Sequence, residues 1–454
     1  MSLKPTKHVT SLGKSIKILD EEKFFKEVNT LLNSIHFDNK KHLVLGVSGG
    51  PDSMILSHLL NKYSNTNGLD ITAVIIDHQL RDPSWEEALI TRKRLNTIGL
   101  NTEILKLKKY SKNTGIQEWA RFERLNTLSS FAKSKNGVLF LGHHLDDNVE
   151  TVFMRMDKKT GFWGAAGIKK VSSWRGTLLL RPLLSYTKEI ILKTCKEKSI
   201  NFIIDDSNIN EKFERVKVRN FLQTLENKDK ILKNLHDFSI AMGKITEKLD
   251  KKINELCSVH FPSFNLGWSN LDIKFLLRLN RDFALRILLL KIKSIGGGKY
   301  FLKKRKVEKL LSHLENFINN QHKMPGKTLG GCKIFYRQKN ISLVRWSKEL
   351  IPPSDITKFG NLLYDNRWEI LCSEKVKVGY LQNSNYSLIK NKIVRKSIIP
   401  YEVWKYIPVD IDRFNYEKMK IKLDVVNSNN HLDIIDNFIE FLNDSYGIMI
   451  KFIK

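Results

Sequence analysis

From residue 42 onward, short apolar runs alternate with longer amphipathic stretches. HLVLGV (42–47), DITAVIID (70–77), NTEILKL (101–107) and GVLFLGH (137–143) have the length and apolar density of buried strands. Between and after them, PDSMILSHLLNKY, SWEEALITRKRLNTIG, GIQEWARFERLNTLSSFAKSK and DDNVETVFMRM read as helices. Asp82–Pro83–Ser84 is the start signal of the second of these. An earlier segment, EEKFFKEVNTLLNSI, spaces Phe24, Phe25, Val28, Leu31 and Leu32 as one helical face. Strand–helix alternation at this spacing predicts a parallel sheet with helices on both faces. Such sheets bind ligands at the carboxyl ends of their strands.

The texture changes near residue 220. From 221 to about 320 it is mostly helical, FALRILLLKIKSI and KKRKVEKLLSHLENFI being the clearest segments. KTLGGCKIFYRQKNISLVRW (327–346) reads as a hairpin with Gln338–Lys339–Asn340 near its turn. Pro352–Pro353 suggests a boundary, after which the pattern is β-leaning and then helix-like. The expected architecture is α/β: a parallel-sheet domain over 1–220, a mostly helical domain with a hairpin over 221–350, and a small mixed α/β domain over 351–454.

Composition narrows the class. The chain of 454 residues is 41% hydrophobic and 10% aromatic, enough to build a core in each domain. Lys+Arg 77 against Asp+Glu 48 gives a net charge of +29, which attracts polyanions and releases counterions from a phosphate backbone. A Lys-, Asn- and Ile-rich composition could also follow from an AT-rich genome, but so large an excess favours a nucleic-acid partner. Cys195, Cys257, Cys332 and Cys372 lie far apart, without zinc or disulfide spacing. The first 25 residues lack an apolar core like that of a signal peptide, and no apolar run is long enough to span a bilayer. A cytoplasmic protein with no membrane partner is the expectation.

Two clusters carry chemistry. Ser48-Gly49-Gly50-Pro51-Asp52-Ser53 ends a strand and opens a helix. The glycines let backbone approach phosphate oxygens, the helix amides and the serine hydroxyls supply donors, and Asp52 is placed to hold Mg²⁺. There is no lysine at the Walker position. Alone, the hexapeptide could be a flexible turn that caps the next helix; the strand–loop–helix setting weighs against that. In the second cluster, His143-His144-Leu145-Asp146-Asp147-Asn148-Val149-Glu150-Thr151, Asp147 and Glu150 share a helix face. Acidic residues here can be caps and dipole partners, but paired histidines followed by DD and ET are hard to explain by capping alone.

SGGPDS resembles the SGGxDS loop of the N-type ATP pyrophosphatases (the PP-loop superfamily), and HHLDDNVET resembles the HHxDDxxET motif of tRNA(Ile)-lysidine synthetases. Gly161, Gly164 and Gly167 look like that family's glycine-punctuated loop, and Arg181-Pro182-Leu183-Leu184 like its RPLL element. Asp205-Asp206-Ser207-Asn208 with Arg215-Val216-Lys217-Val218-Arg219 is similar to its D-x-SN…R-N-x-[IV]-R stretch. The resemblance is clear over 42–220, weaker to about 346 and faint beyond 400. Val216 stands where the family usually has Asn, and Gln79, after Asp77-His78, where it usually has Gly.

The resemblance implies a two-step, ATP- and Mg²⁺-dependent reaction on tRNA(Ile) with a CAU anticodon. The C2 oxygen of the wobble cytidine attacks the α-phosphorus of ATP and releases pyrophosphate. The ε-amine of L-lysine then displaces AMP, leaving lysidine, so that the tRNA reads AUA and is charged with isoleucine. It further implies ATP binding by Ser48, Gly49, Gly50, Pro51, Asp52 and Ser53, and Mg²⁺ binding by Asp52 and Asp147. Lysine would be bound by Asp147, Glu150 and Arg121, His143 would touch adenylate or phosphate, and Arg215 would touch phosphate or tRNA. Arg121, Arg215 and Arg219 could equally be solvated helix charges. Lys303-Lys304-Arg305-Lys306 and Lys390–Lys396 could contact RNA backbone, and Trp346 and Trp404 could stack on bases, though such features are more often solvated face and core. A homodimer is a candidate assembly. Two rivals remain: a thiolase or amide-forming ligase on the same loop, and an RNA-binding protein with a decayed nucleotide fold. The first lacks paired cysteines and an evident glutaminase partner; the second has no use for intact Asp52, Asp147 and Glu150.

Overall fold

The computed structural model describes residues 17–37, 42–79, 83–107, 116–158, 160–203, 214–264, 267–297, 302–320, 326–337, 340–345, 353–357, 361–365, 368–381, 401–412 and 448–452. Two compact units divide between Glu247 and Lys248.

The first unit opens with α1 (Glu21–Ser34), whose Asp20 cap accepts from the Lys23 amide at 3.1 Å. It continues as β1 (Leu43–Val47), α2 (Pro51–Asn67), β2 (Ile71–Asp77), α3 (Ser84–Asn96), β3 (Thr102–Lys106), α4 (Ile116–Ser134), β4 (Val138–Leu141) and α5 (Leu145–Asp157). The short α6 (Phe162–Ala165), the strands β5 (Val171–Trp174) and β6 (Thr177–Leu180), and the helices α7 (Lys188–Glu197) and α8 (Glu214–Thr224) follow, and α9 (Lys228–His260) begins in this unit and ends in the second. The sheet runs β3-β2-β1-β4-β6-β5, parallel throughout except for the antiparallel edge strand β5.

Period-two alternation divides the core between the two faces of this sheet. Leu43, Leu45 and Val47 of β1 pack on one side with α1, α2 and α7 residues such as Phe24, Ile55, Leu59 and Ile191. Val44 points to the other side with Val74, Leu139 and the α4 residues Leu128 and Ala132. Strands buried on both faces explain why these runs read as continuously apolar. Successive strands step outward from β1 through β2 to β3, and the chain then returns across β1 to β4. The order therefore reverses between β1 and β4, and a crevice opens at their carboxyl ends.

The second unit contains a five-stranded antiparallel sheet. In sheet order its strands are Ser263–Phe264, Trp268–Leu271, Asn340–Arg345, Cys332–Arg337 and Lys327–Leu329. Helices Ile273–Arg278, Arg281–Gly296 and Lys304–Asn320 belong to the same unit, as do two small three-stranded antiparallel sheets. Arg345 grips the buried Asp365 through Nε and Nη2, each at 2.8 Å, and the Tyr380 hydroxyl donates to the same carboxylate. Trp404 is a core residue, wholly buried. Trp346, Lys390–Lys396 and Asp205–Asn208 lie outside the described residues. Among those described, no helix is long and apolar enough to cross a membrane.

Candidate active site at the sheet crevice

The loop after β1 is shaped by its own side chains. Gly49 has φ +81, in the left-handed region, and a Cβ there would come within 2.5 Å of the buried Thr91 hydroxyl on α3. Pro51 begins α2, where a missing N–H costs nothing. Ser53 Oγ accepts from the Ser48 amide at 3.2 Å and donates to the Gly50 carbonyl at 3.0 Å, folding the loop over the helix start. The remaining first-turn amides of α2 carry partial positive charge and suit an anion.

The loop after β4 presses against it. A Cβ on Gly142 would lie 3.1 Å from the Asp52 carbonyl carbon and 3.2 Å from the Ser53 amide nitrogen, so a side chain there would push the two loops apart. His144 caps α5 with extended backbone, and its N–H donates to Asp147 Oδ2 at 3.0 Å. Its ring is buried among three carboxylates, with Asp52 at 3.8 Å and Asp146 and Asp147 at 3.5 Å each. Burial disfavours charge on His144, but Asp147, Asp146 and Asp52 together raise its pKa above the usual imidazole value. Burial also opposes the Asp147 charge, yet His144, Arg215 and His143 pull its pKa down to about 2. His143 behaves oppositely to its neighbour. Burial, aided by Arg181, Arg121 and Arg124, outweighs Asp147 and holds its pKa down at about 3.

Cations from four other parts of the chain surround the site. Lys188 Nζ, at the start of α7, donates to both Asp52 oxygens at 2.7 and 2.8 Å. Arg215, at the start of α8, donates to Glu150 Oε2 at 2.6 Å and to Asp147 Oδ1 at 2.7 Å. Arg219, one turn on, reaches Glu150 Oε1 at 2.7 Å. Arg181 donates from Nε to His143 Nδ1 at 3.3 Å and from Nη1 to the Lys169 carbonyl and Ser172 hydroxyl. Arg121 on α4 is solvent-exposed, yet the surrounding protein and Arg215 outweigh Asp147 and lower its pKa.

Residues singled out in the sequence thus meet in one place: Ser48–Ser53 face His143, His144, Asp147, Glu150 and Arg215. One detail differs from the simplest expectation. Glu150 is 2% exposed and both its oxygens already accept from arginines, so a substrate ammonium would have to displace a guanidinium there. Lys188, Asp146 and Arg219 had no assigned role. Arg219 was visible as the last residue of the RVKVR stretch; Lys188 had no local signal, because only the packing of α7 on α2 brings it to Asp52. Among the described residues, no group of three or more His, Cys, Asp or Glu side chains is arranged to hold a metal ion. Asp52 and Asp147, both within 4 Å of His144 Nε2, still suit Mg²⁺, which commonly takes one or two carboxylates plus phosphate oxygens and water.

A family model described as the PP-loop domain matches residues 20–226, the span that carries this site. A tRNA(Ile)-lysidine synthase of Rickettsia bellii is 25% identical over 380 residues, covering 82% of this chain and 85% of its own length. Those of Ruegeria pomeroyi (28% identical; 78% and 82% covered) and Clostridioides difficile (25%; 81% and 82%) match similarly. Over most of its length the chain is similar to tRNA(Ile)-lysidine synthases. The solved U34-tRNA thiolase of Methanococcus maripaludis is 18% identical, with a TM-score of 0.40 over 50% of this chain and 78% of its own. The similarity to lysidine synthases extends past the PP-loop domain, since it covers 82% of the chain while the PP-loop model ends at 226.

Proposed function

We propose that this protein ligates L-lysine to the wobble cytidine of the CAU anticodon of tRNA(Ile), using ATP and Mg²⁺ and releasing pyrophosphate and AMP. The observation that carries the reading is that the phosphate loop after β1 and the acidic loop after β4 share one crevice, with His144 within 4 Å of Asp52, Asp146 and Asp147. A nucleotide seated on Ser48–Ser53 would present its α-phosphorus to an acceptor held over α5. Bound to Asp52 and Asp147, Mg²⁺ would neutralise phosphate charge in this crevice.

In the first step the cytidine O2–phosphorus bond forms and the bond to pyrophosphate breaks, so the protein's task is positioning and charge neutralisation. His143, neutral and bonded through Nδ1 to Arg181, offers its Nε2–H to a phosphate or adenylate oxygen. In the second step the lysine ε-nitrogen bonds to C2 while AMP leaves, and the amine must shed a proton first. Asp147 receives the ammonium, with Arg121 beside it on α4; Glu150 serves by holding Arg215 and Arg219 in place. Residues beyond 220, in the helical and mixed segments, bind the body of the tRNA, and the net charge of +29 supports this. The protein acts in the cytoplasm.

The test is turnover of ATP to AMP and pyrophosphate with bulk tRNA, with and without labelled lysine. Lysine incorporated at a cytidine, and lost in Asp52→Ala and Asp147→Ala, is the expected result. Pyrophosphate release with tRNA but no incorporated lysine would sink the ligation reading and point to another nucleophile.

A further inference from the structure

We propose that Lys188 supplies the phosphate-contacting ammonium that the SGGPDS loop itself lacks, neutralising the β- and γ-phosphates of ATP and the pyrophosphate that departs. The proposal rests on the reading that this loop binds ATP. No lysine lies within Ser48–Ser53, yet Lys188, 136 residues further on, places its Nζ against Asp52 in the first turn of α2.

Its backbone is pinned on two sides. The Lys188 amide donates to Asp146 Oδ2 at 2.8 Å, tying the start of α7 to the loop after β4. Thr187 caps the same helix by accepting from the Ile190 amide at 3.3 Å. On its other side α7 buries Ile191 and Cys195 in the core shared with α2, which fixes the distance between Lys188 and the phosphate loop. The ammonium therefore projects from a rigid base into the crevice rather than from a loop.

A purely structural role fits less well. The Lys188 side chain is 34% and that of Asp52 27% exposed, and ion pairs this open to water contribute little to folding. An ammonium also has three donors. The two Asp52 oxygens engage two of them, and the third is available to a phosphate oxygen cradled by the neighbouring α2 amides. A divalent cation on Asp52 would compete for the same carboxylate oxygens and turn the ammonium further towards phosphate. When the bond between the α-phosphorus and the bridging oxygen breaks, negative charge collects on pyrophosphate, where a fixed cation stabilises it most. No proton need move.

The test uses the full-length protein without tRNA or lysine. Calorimetric titration with inorganic pyrophosphate, ATP and AMP, each in Mg²⁺ buffer, is compared among wild type, Lys188→Met and Lys188→Arg. Pyrophosphate and ATP affinity should fall at least about tenfold in Lys188→Met, AMP affinity should stay within about twofold, and Lys188→Arg should recover most of the loss. Pyrophosphate affinity unchanged in Lys188→Met would overturn the proposal and leave Lys188 as a counter-ion of Asp52. A second measurement needs no variant: acetylation of wild-type lysines read by peptide mass. Pyrophosphate should slow modification of Lys188 and not of Lys198, which pairs with Glu21. Equal acetylation of Lys188 with and without bound pyrophosphate would also overturn it. Wild type that binds neither ATP nor pyrophosphate would instead remove the nucleotide reading on which this one rests.

Discussion

Arg219 donates through Nε to Oε1 of Glu150 at 2.7 Å, on a carboxylate that is 2% exposed. Arg215 takes the opposite oxygen, so one buried charge organises two guanidiniums from adjacent turns of α8. Glu150→Gln keeps the shape and removes the charge. Because the arginines retain access to water, the loss should be about 2 kcal/mol rather than the larger cost of a fully buried pair. Urea denaturation measures it, and lysine incorporation should fall further than stability predicts, because Arg215 also loses its orientation towards Asp147. Unchanged stability would show that the arginines are held by something else.

Asp147 makes stability depend on acid. Its folded pKa, about 2, lies below the ordinary carboxylate value, so its contribution is complete above about pH 4 and is lost as pH falls towards 2. Relative to Asp147→Asn, wild type should lose about 1 kcal/mol of its advantage between pH 5 and pH 3 in metal-free buffer. Denaturant titrations at the two pH values give the difference. A constant gap would mean that the surrounding cations do not stabilise this carboxylate.

Asn148 joins three segments. Its Nδ2 donates to Ser239 Oγ at 2.6 Å and lies 3.3 Å from His236 Nδ1, while its Oδ1 accepts from the Ile168 amide at 2.6 Å. The residue is 1% exposed, so no water can replace these partners readily. Asn148→Ala should cost about 2 kcal/mol, mostly from stranded donors, and should speed hydrogen exchange at the Ile168 amide. Wild-type exchange there would refute the bridge.

Gln79 has φ +52, a left-handed conformation that disfavours side chains. Its amide donates to Asp77 Oδ1 at 2.9 Å, which fixes the turn after β2. The family's usual glycine at this position now has a physical reason. Gln79→Gly should raise stability by up to about 1 kcal/mol, reduced by the extra freedom glycine gives the unfolded chain. A loss in thermal unfolding would show that the glutamine side chain earns its place by contacts.

Legibility followed locality. β1, β2 and β4 were readable because burial on both faces leaves an unbroken apolar run, while β3, a partly buried edge strand, was readable from its place in the strand–helix alternation. β5 and β6 were not. They are four residues each, and β5 is only partly buried, so their pattern is too short to stand out; Arg175 and Gly176, both at positive φ, make the turn between them. In the site, Ser48–Ser53 and His143–Glu150 were legible because they are contiguous and sit at strand ends. Lys188 was silent for the opposite reason, and Arg181 was marked only by its likeness to the RPLL element, without its partner: each lies far along the chain from that partner and arrives through packing of α7 or pairing of β6 with β4. Charge alone misjudged Arg219, which looks like a surface cation and instead grips a buried acid.

The Arg181–His143 contact fixes more than a ring position. Arg181 Nε carries a hydrogen, so His143 Nδ1 must present its lone pair to it and the ring proton belongs on Nε2. With a pKa near 3, the ring stays in that tautomer across the physiological range. Of two consecutive histidines, one is therefore held neutral as an Nε2–H donor, suited to hold an oxygen rather than to collect a proton. A pH–rate limb near neutrality would therefore belong to a group other than this imidazole.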